Sequence, residues 1–85
     1  MSNSESNKNI IEAALFASHD PLTLQDLANL FDDKKISKNK IREIIDELNK
    51  EYNNRAFEIS LVASGYRIQI REGYDQWLSK LNNMP

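Results

Sequence analysis

The side chains that could take part in acid–base chemistry are one histidine, His19, and one carboxylate set among apolar residues, Glu12. His19 stands beside Asp20 at the end of a predicted helix, so we interpret it as a helix-end or surface residue. Glu12 is predicted to face water or to pair with a neighbouring base, with burial and a raised pKa as the alternative. A nucleophile, a base and an orienting group cannot be assembled around His19.

Sites for metals, cofactors and phosphates are not predicted either. The chain has no cysteine, which excludes a thiolate metal site and a disulfide framework. Its two glycines stand apart, so there is no glycine-rich phosphate loop. No group of His, Asp and Glu has the spacing of metal ligands. We therefore expect no catalytic residue, no cofactor, no metal and no small-molecule substrate, and a protein that is not an enzyme.

The composition indicates one globular domain with a polar surface. Apolar residues make up 40% of the 85 residues and charged residues 28%. No apolar run approaches the ~20 residues that a membrane span needs, so we expect no membrane association. The lack of cysteine favours a cytoplasmic protein. We expect residues 1–8 to be a disordered lead, 9–82 the domain and 83–85 a tail.

Three helices are predicted in the first two thirds of the chain. The first runs from about Lys8 to Ser18 and is apolar nearly all round, which is typical of a helix buried on more than one side. Thr23 caps the second helix, with Asp26 at its third position, and Ser37 caps the third, which ends near Asn53. The apolar stripes of these two helices are Leu24, Leu27, Ala28 and Phe31, then Ile41, Ile44, Ile45, Leu48 and Tyr52.

Two alternating strands follow, Phe57–Ala63 and Tyr66–Arg71, with a two-residue turn predicted at Ser64-Gly65. In this register the two residues of each cross-strand pair match in polarity, and one pair is an ion pair. The predicted pairs are Leu61 with Ile68, Ile59 with Ile70, Ser60 with Gln69, and Glu58 with Arg71. The face predicted to point inward comprises Phe57, Ile59, Leu61, Tyr66, Ile68 and Ile70.

A last helix after Gly73 carries an apolar stripe that is either core or interface: Tyr74, Trp77, Leu78 and Leu81. The resulting fold class is α+β, mainly α. Three helices, a two-stranded hairpin wing and a C-terminal helix make a winged helix-turn-helix, a fold whose usual role is to bind DNA.

DNA binding is the alternative function, that of a winged-helix transcription regulator. The net charge of −2 removes the usual basic footprint of a duplex binder. The outward face of the third helix reads Asn39, Glu43, Asp46, Glu47 and Lys50, which is mostly acidic. Backbone phosphates would have to be contacted by Lys34, Lys35, Lys38, Lys40, Arg67 and Arg71. We interpret these cations as a solvated rim and expect sequence-specific DNA binding to be absent.

Protein association is the function that the residues favour. The first helix has more apolar surface than a small core needs, Leu30 lies off the apolar stripe of the second helix, and the chain is rich in aromatic residues. We predict a two-fold homodimer contact formed by Ile10, Ala14, Leu15 and Phe16. Periodicity leaves open which face of the first helix is core and which is interface.

Three blocks of the sequence resemble one family. The first block runs from Ile11 to Ser18 and continues through Asp20-Pro21-Leu22-Thr23. The second runs from Val62 to Gln69, and the third is Tyr74 with Trp77. In their order and spacing they are similar to ScpB, segregation and condensation protein B, over roughly Asn9 to Leu81.

The resemblance implies a non-enzymatic, cytoplasmic subunit of the bacterial condensin complex, together with SMC and the kleisin ScpA. Its role would lie in chromosome condensation and partition. ScpB-like chains hold two successive winged helices, of which the first makes much of the homodimer contact and the second much of the kleisin contact. Because this chain stops at Pro85, after the first winged helix, self-association is the expected activity.

Overall fold

A computed structural model describes residues 3–31 and 36–81, the first three of them by their backbone alone. The predicted architecture is confirmed: three helices precede an antiparallel hairpin, and a short helix follows it. The elements are α1 (Asn3–Ala17), α2 (Leu24–Ala28), α3 (Lys38–Glu51), β1 (Phe57–Val62), β2 (Gly65–Ile70) and α4 (Asp75–Leu78). The predicted domain limits, 9–82, stay a prediction, because residues 1–2 and the tail 83–85 lie outside the described residues.

Helix α1 begins earlier than the sequence predicts. It starts at Asn3, so residues 3–8, predicted as part of a disordered lead, belong to the helix. A tertiary contact stabilises this first part, because the ammonium group of Lys8 pairs with the carboxylate of Glu51 and lies 3.9 Å from that of Glu47, both on α3. That partner lies 43 residues away in the chain, so local propensity cannot reveal the contact.

The caps of the next two helices are confirmed. Thr23 and Asp26 form a reciprocal capping box, in which the Thr23 hydroxyl accepts from the Asp26 N–H and the Asp26 carboxylate accepts from the Thr23 N–H. Ser37 accepts from the N–H of Lys40 at the start of α3. These contacts satisfy backbone donors that the first helical turn leaves free, and they fix where α2 and α3 begin.

The core forms where α1, α2, α3 and the hairpin meet. The predicted stripe of α3 is buried in full, and Leu27 of α2 is completely buried, with the other stripe residues of α2 packed around the core. Leu30, which lies off the predicted stripe of the second helix, is exposed. The buried apolar residues are Ile11, Leu15, Leu27, Ile41, Ile44, Ile45, Leu48, Tyr52 and Ile59.

The predicted register of the hairpin is wrong by two residues. Val62 lies opposite Gly65, so the turn residues are Ala63 and Ser64, rather than Ser64 and Gly65. The observed pairs are Phe57 with Ile70, Glu58 with Gln69, Ile59 with Ile68, Ser60 with Arg67, Leu61 with Tyr66 and Val62 with Gly65. A shift of this size keeps every side chain on its predicted face, so alternation alone cannot detect it. Glu58 and Arg71 still form an ion pair, at 3.0 Å, although they are no longer directly opposite.

The hairpin departs from the prediction because Gly65 has a second role. Leu22, in the loop between α1 and α2, bridges to Tyr66 through two backbone hydrogen bonds of 2.7 and 2.8 Å. A Cβ on Gly65 would lie 2.6 Å from the carbonyl carbon of Leu22. The glycine therefore lets the loop approach β2, and its φ of +138° is one that other residues rarely adopt.

The opposite edge of the hairpin is held by a side chain of α3. The Asn49 amide donates to the carbonyl of Ile59 at 3.0 Å and accepts from its N–H at 2.8 Å. This pair replaces the contacts that a neighbouring strand would make. The hairpin is thus fixed between the α1–α2 loop on one side and α3 on the other.

The inward face of the hairpin is shorter than predicted. Ile59 is buried, and Phe57, Tyr66 and Ile68 pack against the core. Leu61 and Ile70 were predicted to face inward, but they are 68% and 55% exposed. Both lie near the ends of their strands, beyond the part of the hairpin that the helices cover.

The role of Gly65 is tested by comparing Gly65→Ala with Gly73→Ala. Both glycines have positive φ, at +138° and +102°, but a Cβ on Gly73 meets no atom within 4 Å. We expect Gly73→Ala to lower the free energy of unfolding by about 1 kcal/mol through backbone strain alone. Gly65→Ala adds a backbone clash and should cost about 3 kcal/mol or more. Urea denaturation measures both, and equal losses would contradict the close approach of Leu22.

Candidate protein interface

Helix α1 has one buried and one exposed apolar face. Ile11 and Leu15, one turn apart, lie in the core at 0% and 3% exposure. On the opposite side, Ile10 and Phe16 are 41% and 51% exposed. Ala13 and Ala17 are exposed between them. Since residues three and four apart share one side of a helix, these side chains form one continuous surface. We call it the α1 outer face, comprising Ile10, Ala13, Phe16 and Ala17.

The structure divides the four residues predicted for the dimer contact. Ile10 and Phe16 lie on the α1 outer face, whereas Leu15 is a core residue and Ala14 packs against the core. Leu15 is therefore unsuited to a self-association contact. A carboxylate at position 15 would be buried without a partner and would unfold the domain instead of separating two intact chains.

Ala13 and Ala17 belong to the α1 outer face but not to the contact predicted from the sequence. Their spacing of four residues, together with Ile10 three positions before Ala13, is a helical signal that was available. This spacing alone does not identify the exposed side of the helix, because Ile11 and Leu15 show the same spacing of four on the buried side. Only the packing against α3 distinguishes the two faces.

The α1 outer face continues onto the open end of the hairpin. The ring of Phe16 meets that of Phe57 edge-on, with 5.5 Å between centroids. Ile70 lies directly opposite Phe57, and directly opposed residues project from the same face of a sheet. Exposed apolar surface therefore extends from the end of α1 to the last residue of β2. Scattered exposed apolar residues are ordinary, but a connected set is typical of an interaction site.

Glu12 does not point to water or pair with a base. Its carboxylate accepts a hydrogen bond from the hydroxyl of Tyr52 at the end of α3, in a half-buried position. The Tyr52 ring also packs on Phe57, at 4.7 Å between centroids. Burial raises the pKa of the Tyr52 phenol above its ordinary value, and the hydrogen bond that its hydroxyl donates to Glu12 and the charge of Glu51 act in the same direction. This contact joins α1 to the end of α3, about one helical turn before Phe16.

The remaining candidates for chemistry are dispersed. His19 is exposed in the loop after α1, and the Ser18 hydroxyl beside it bonds to the backbone of Asp20. Within residues 3–31 and 36–81, no three residues of the types His, Cys, Asp and Glu are grouped as metal ligands.

Of the six cations proposed for DNA contact, the structure describes four: Lys38, Lys40, Arg67 and Arg71. Lys34 and Lys35 lie outside the described residues. The guanidinium of Arg71 pairs with Glu58 and donates to the carbonyls of Tyr52 and Arg55, so it is a structural group that closes the end of α3 onto the hairpin. The ammonium of Lys40 lies 3.9 Å from the Glu43 carboxylate. Lys38 and Arg67 are exposed.

Helix α4 is a second exposed apolar region. It has no buried residue; Tyr74, Trp77 and Leu81 are exposed, and Leu78 is half-buried. The rings of Tyr74 and Trp77 contact each other with 6.1 Å between centroids. Of the two roles that the sequence allowed for this stripe, core is thus excluded for the described chain.

Comparison with known protein families shows to which family the chain belongs. The sequence matches the family described as "Segregation and condensation complex subunit ScpB" over residues 9–85. The chain belongs to the ScpB family. It is 46% identical over 75 residues to the segregation and condensation protein B homolog of Coxiella burnetii, covering 87% of this chain and 36% of that protein. Segregation and condensation protein B of Alkaliphilus metalliredigens is 36% identical over 75 residues, covering 87% and 38%. The chain thus spans little more than a third of the length of these curated ScpB relatives.

A solved ScpB structure has the same fold. A crystal structure of a dimer of the ScpB N-terminal domain, complexed with ScpA peptide, matches with a TM-score of 0.80 and 22% identity. The match covers 100% of this chain and 98% of that one. This likeness confirms the winged-helix architecture.

None of the helices in the described parts of the chain is long and apolar enough to cross a membrane.

The Glu12–Tyr52 contact leads to a pH prediction. The raised pKa means that the native state holds the Tyr52 proton to higher pH than the unfolded chain, which releases it near pH ~10. Stability from this group is therefore fully present below that pH and is lost as pH rises above it. The urea midpoint of unfolding should fall between neutral and strongly alkaline pH, and this fall should be smaller for Tyr52→Phe than for the wild type. Tyr74→Phe, the same change at an exposed tyrosine, is the control. Equal falls for Tyr52→Phe and the wild type would contradict the contact.

Proposed function

We propose that this chain acts as a non-enzymatic part of the bacterial SMC–kleisin condensin complex, in chromosome condensation and segregation. The described segment is its homodimerisation module. Membership of a family of segregation and condensation complex subunits supports the role. The single observation that supports the module is the α1 outer face, an apolar helix surface that the domain's own core leaves exposed.

The shape of this surface suits a two-fold helix contact. Ala13 and Ala17 are small, so two copies of α1 can approach closely along them. Ile10 and Phe16 stand on either side and would pack over the partner helix. A two-fold contact uses the same patch on both subunits, so the face must match itself, and an uncharged surface does this without placing like charges together.

The partners proposed for the full protein are the kleisin ScpA and SMC. A related ScpB N-terminal domain is a dimer complexed with an ScpA peptide, which supports both self-association and kleisin contact for this family. We propose a cytoplasmic location, at the nucleoid through the complex. The proposal that the chain is not an enzyme rests on the family's description as a complex subunit. No cofactor, membrane or small-molecule substrate is part of this proposal.

Ala13→Glu tests the module directly. The side chain is exposed and is not part of the core, so the fold should survive. Two carboxylates facing each other across a two-fold axis should weaken the dimer by about tenfold or more. Sedimentation velocity at several concentrations should show a shift from two chains to one, with a single chain of 9.8 kDa.

The matched control is Asn39→Glu, which adds the same charge at an exposed helical position on α3. It should leave the oligomeric state unchanged. A wild-type chain that is monomeric at every concentration, or an Ala13→Glu variant that dimerises as well as Asn39→Glu, would overturn the proposed module.

A further inference from the structure

A groove of about 460 Å³ lies between the tip of the hairpin and the first turns of α2 and α3. Its walls include Thr23 at the start of α2, Lys38 and Arg42 on α3, and Leu61 at the end of β1. The groove lies at the turn end of the hairpin, whereas the α1 outer face meets the hairpin at its open end, near Phe57. The two surfaces are therefore separate.

The backbone of Leu61 is available in this groove. Leu61 lies opposite Tyr66, whose N–H and carbonyl are both bonded to Leu22 on the far side of β2. In an antiparallel ladder, the opposite residue must then point its own N–H and carbonyl away from β2. Ile59, two residues earlier, points the same way, and its groups are bonded to Asn49. Among residues 3–31 and 36–81, no group takes the corresponding position at Leu61.

Two positive charges flank this free backbone. Arg42 precedes Asn49 by seven residues, so the two lie on the same side of α3, two turns apart. The Arg42 guanidinium donates to the neutral Asn39 amide at 2.7 Å. Neither Lys38 nor Arg42 forms an ion pair with a carboxylate of the described chain. In a chain with a net charge of −2, an unneutralised pair of cations beside an apolar side chain is a distinctive surface.

We propose that this groove binds a short, extended, acidic segment of a partner polypeptide. Its main chain pairs with the N–H and carbonyl of Leu61, as an added strand does at a sheet edge. A carboxylate of the segment pairs with Arg42 or Lys38, and the 68% exposed side chain of Leu61 supplies an apolar contact. Because the Asn49 amide already covers Ile59, the added segment cannot extend further along β1, so the recognised segment is short.

An acidic peptide fits this site better than nucleic acid. Beyond Arg42, the exposed side of α3 continues with Glu43, Asp46 and Glu47. A duplex large enough to reach both cations would bring its phosphates against these carboxylates, whereas a short peptide ends before them. The inference rests on the proposed function and deepens it, since it assigns contact with a partner polypeptide to a surface separate from the α1 outer face.

Selection from a displayed library of random peptides on the full chain tests the proposal. The selected peptides should be enriched in Asp and Glu. Arg42→Glu should weaken a selected peptide by about tenfold or more, because it removes a charge-assisted contact and adds a repulsive one. The control, Lys50→Glu, reverses an exposed cation at the other end of α3 and should change the affinity by about twofold or less.

Hydrogen exchange supplies a second measurement. Bound peptide should slow exchange of the Leu61 amide and leave that of Ile59 unchanged, since Asn49 already protects it. Sedimentation should give the same oligomeric state for Arg42→Glu and the wild type, so failure here is distinguishable from failure of the dimer. Selection without acidic enrichment, equal binding by Arg42→Glu, or protection of Leu61 by duplex DNA but not by acidic peptides would overturn the proposal.

Discussion

The packing of Ile11 and Leu15 into the core is the constraint on which the other surfaces depend. Helix α1 has apolar residues on nearly every side, so its orientation is decided by which of them the core accepts. With Ile11 and Leu15 buried against α3 and the hairpin, Ile10, Ala13 and Phe16 must face outward. Burying two large aliphatic side chains contributes about 3–6 kcal/mol, which is enough to hold the helix in one orientation.

Polar contacts then place the hairpin on this core. The Asn49 amide occupies one edge at Ile59, and the backbone of Leu22 occupies the other at Tyr66. At the open end, Arg71 pairs with Glu58 on β1 and donates to the carbonyl of Tyr52 at the end of α3. These contacts leave the two ends of the hairpin uncovered. One end extends the α1 outer face, and the other forms the groove at Leu61, so a single packing arrangement yields two separate surfaces.

The sequence predicted those features correctly that depend on contacts between residues close together in the chain. The caps at Thr23 and Ser37 and the stripe of α3 depend on neighbours within one or two turns, and they were predicted correctly. The hairpin register failed because Gly65 was assigned to the turn, whereas its missing Cβ accommodates Leu22, far away in the sequence. Leu15 was assigned to an interface because periodicity cannot show which apolar side of α1 meets α3. The groove at Leu61 depends on both the register and the position of Arg42, and neither can be obtained from spacing.

We propose that α1 meets a second copy of itself through Ala13 and its neighbours, and disulfide cross-linking probes this contact at a single residue. The chain has no cysteine, so Ala13→Cys introduces a single thiol. Two thiols near a two-fold axis lie close enough to join when their Cα atoms are within about 7 Å. We expect mild oxidation to convert Ala13→Cys to a covalent dimer much faster than Asn39→Cys, whose thiol lies on the exposed side of α3. Equal rates for the two variants would contradict it.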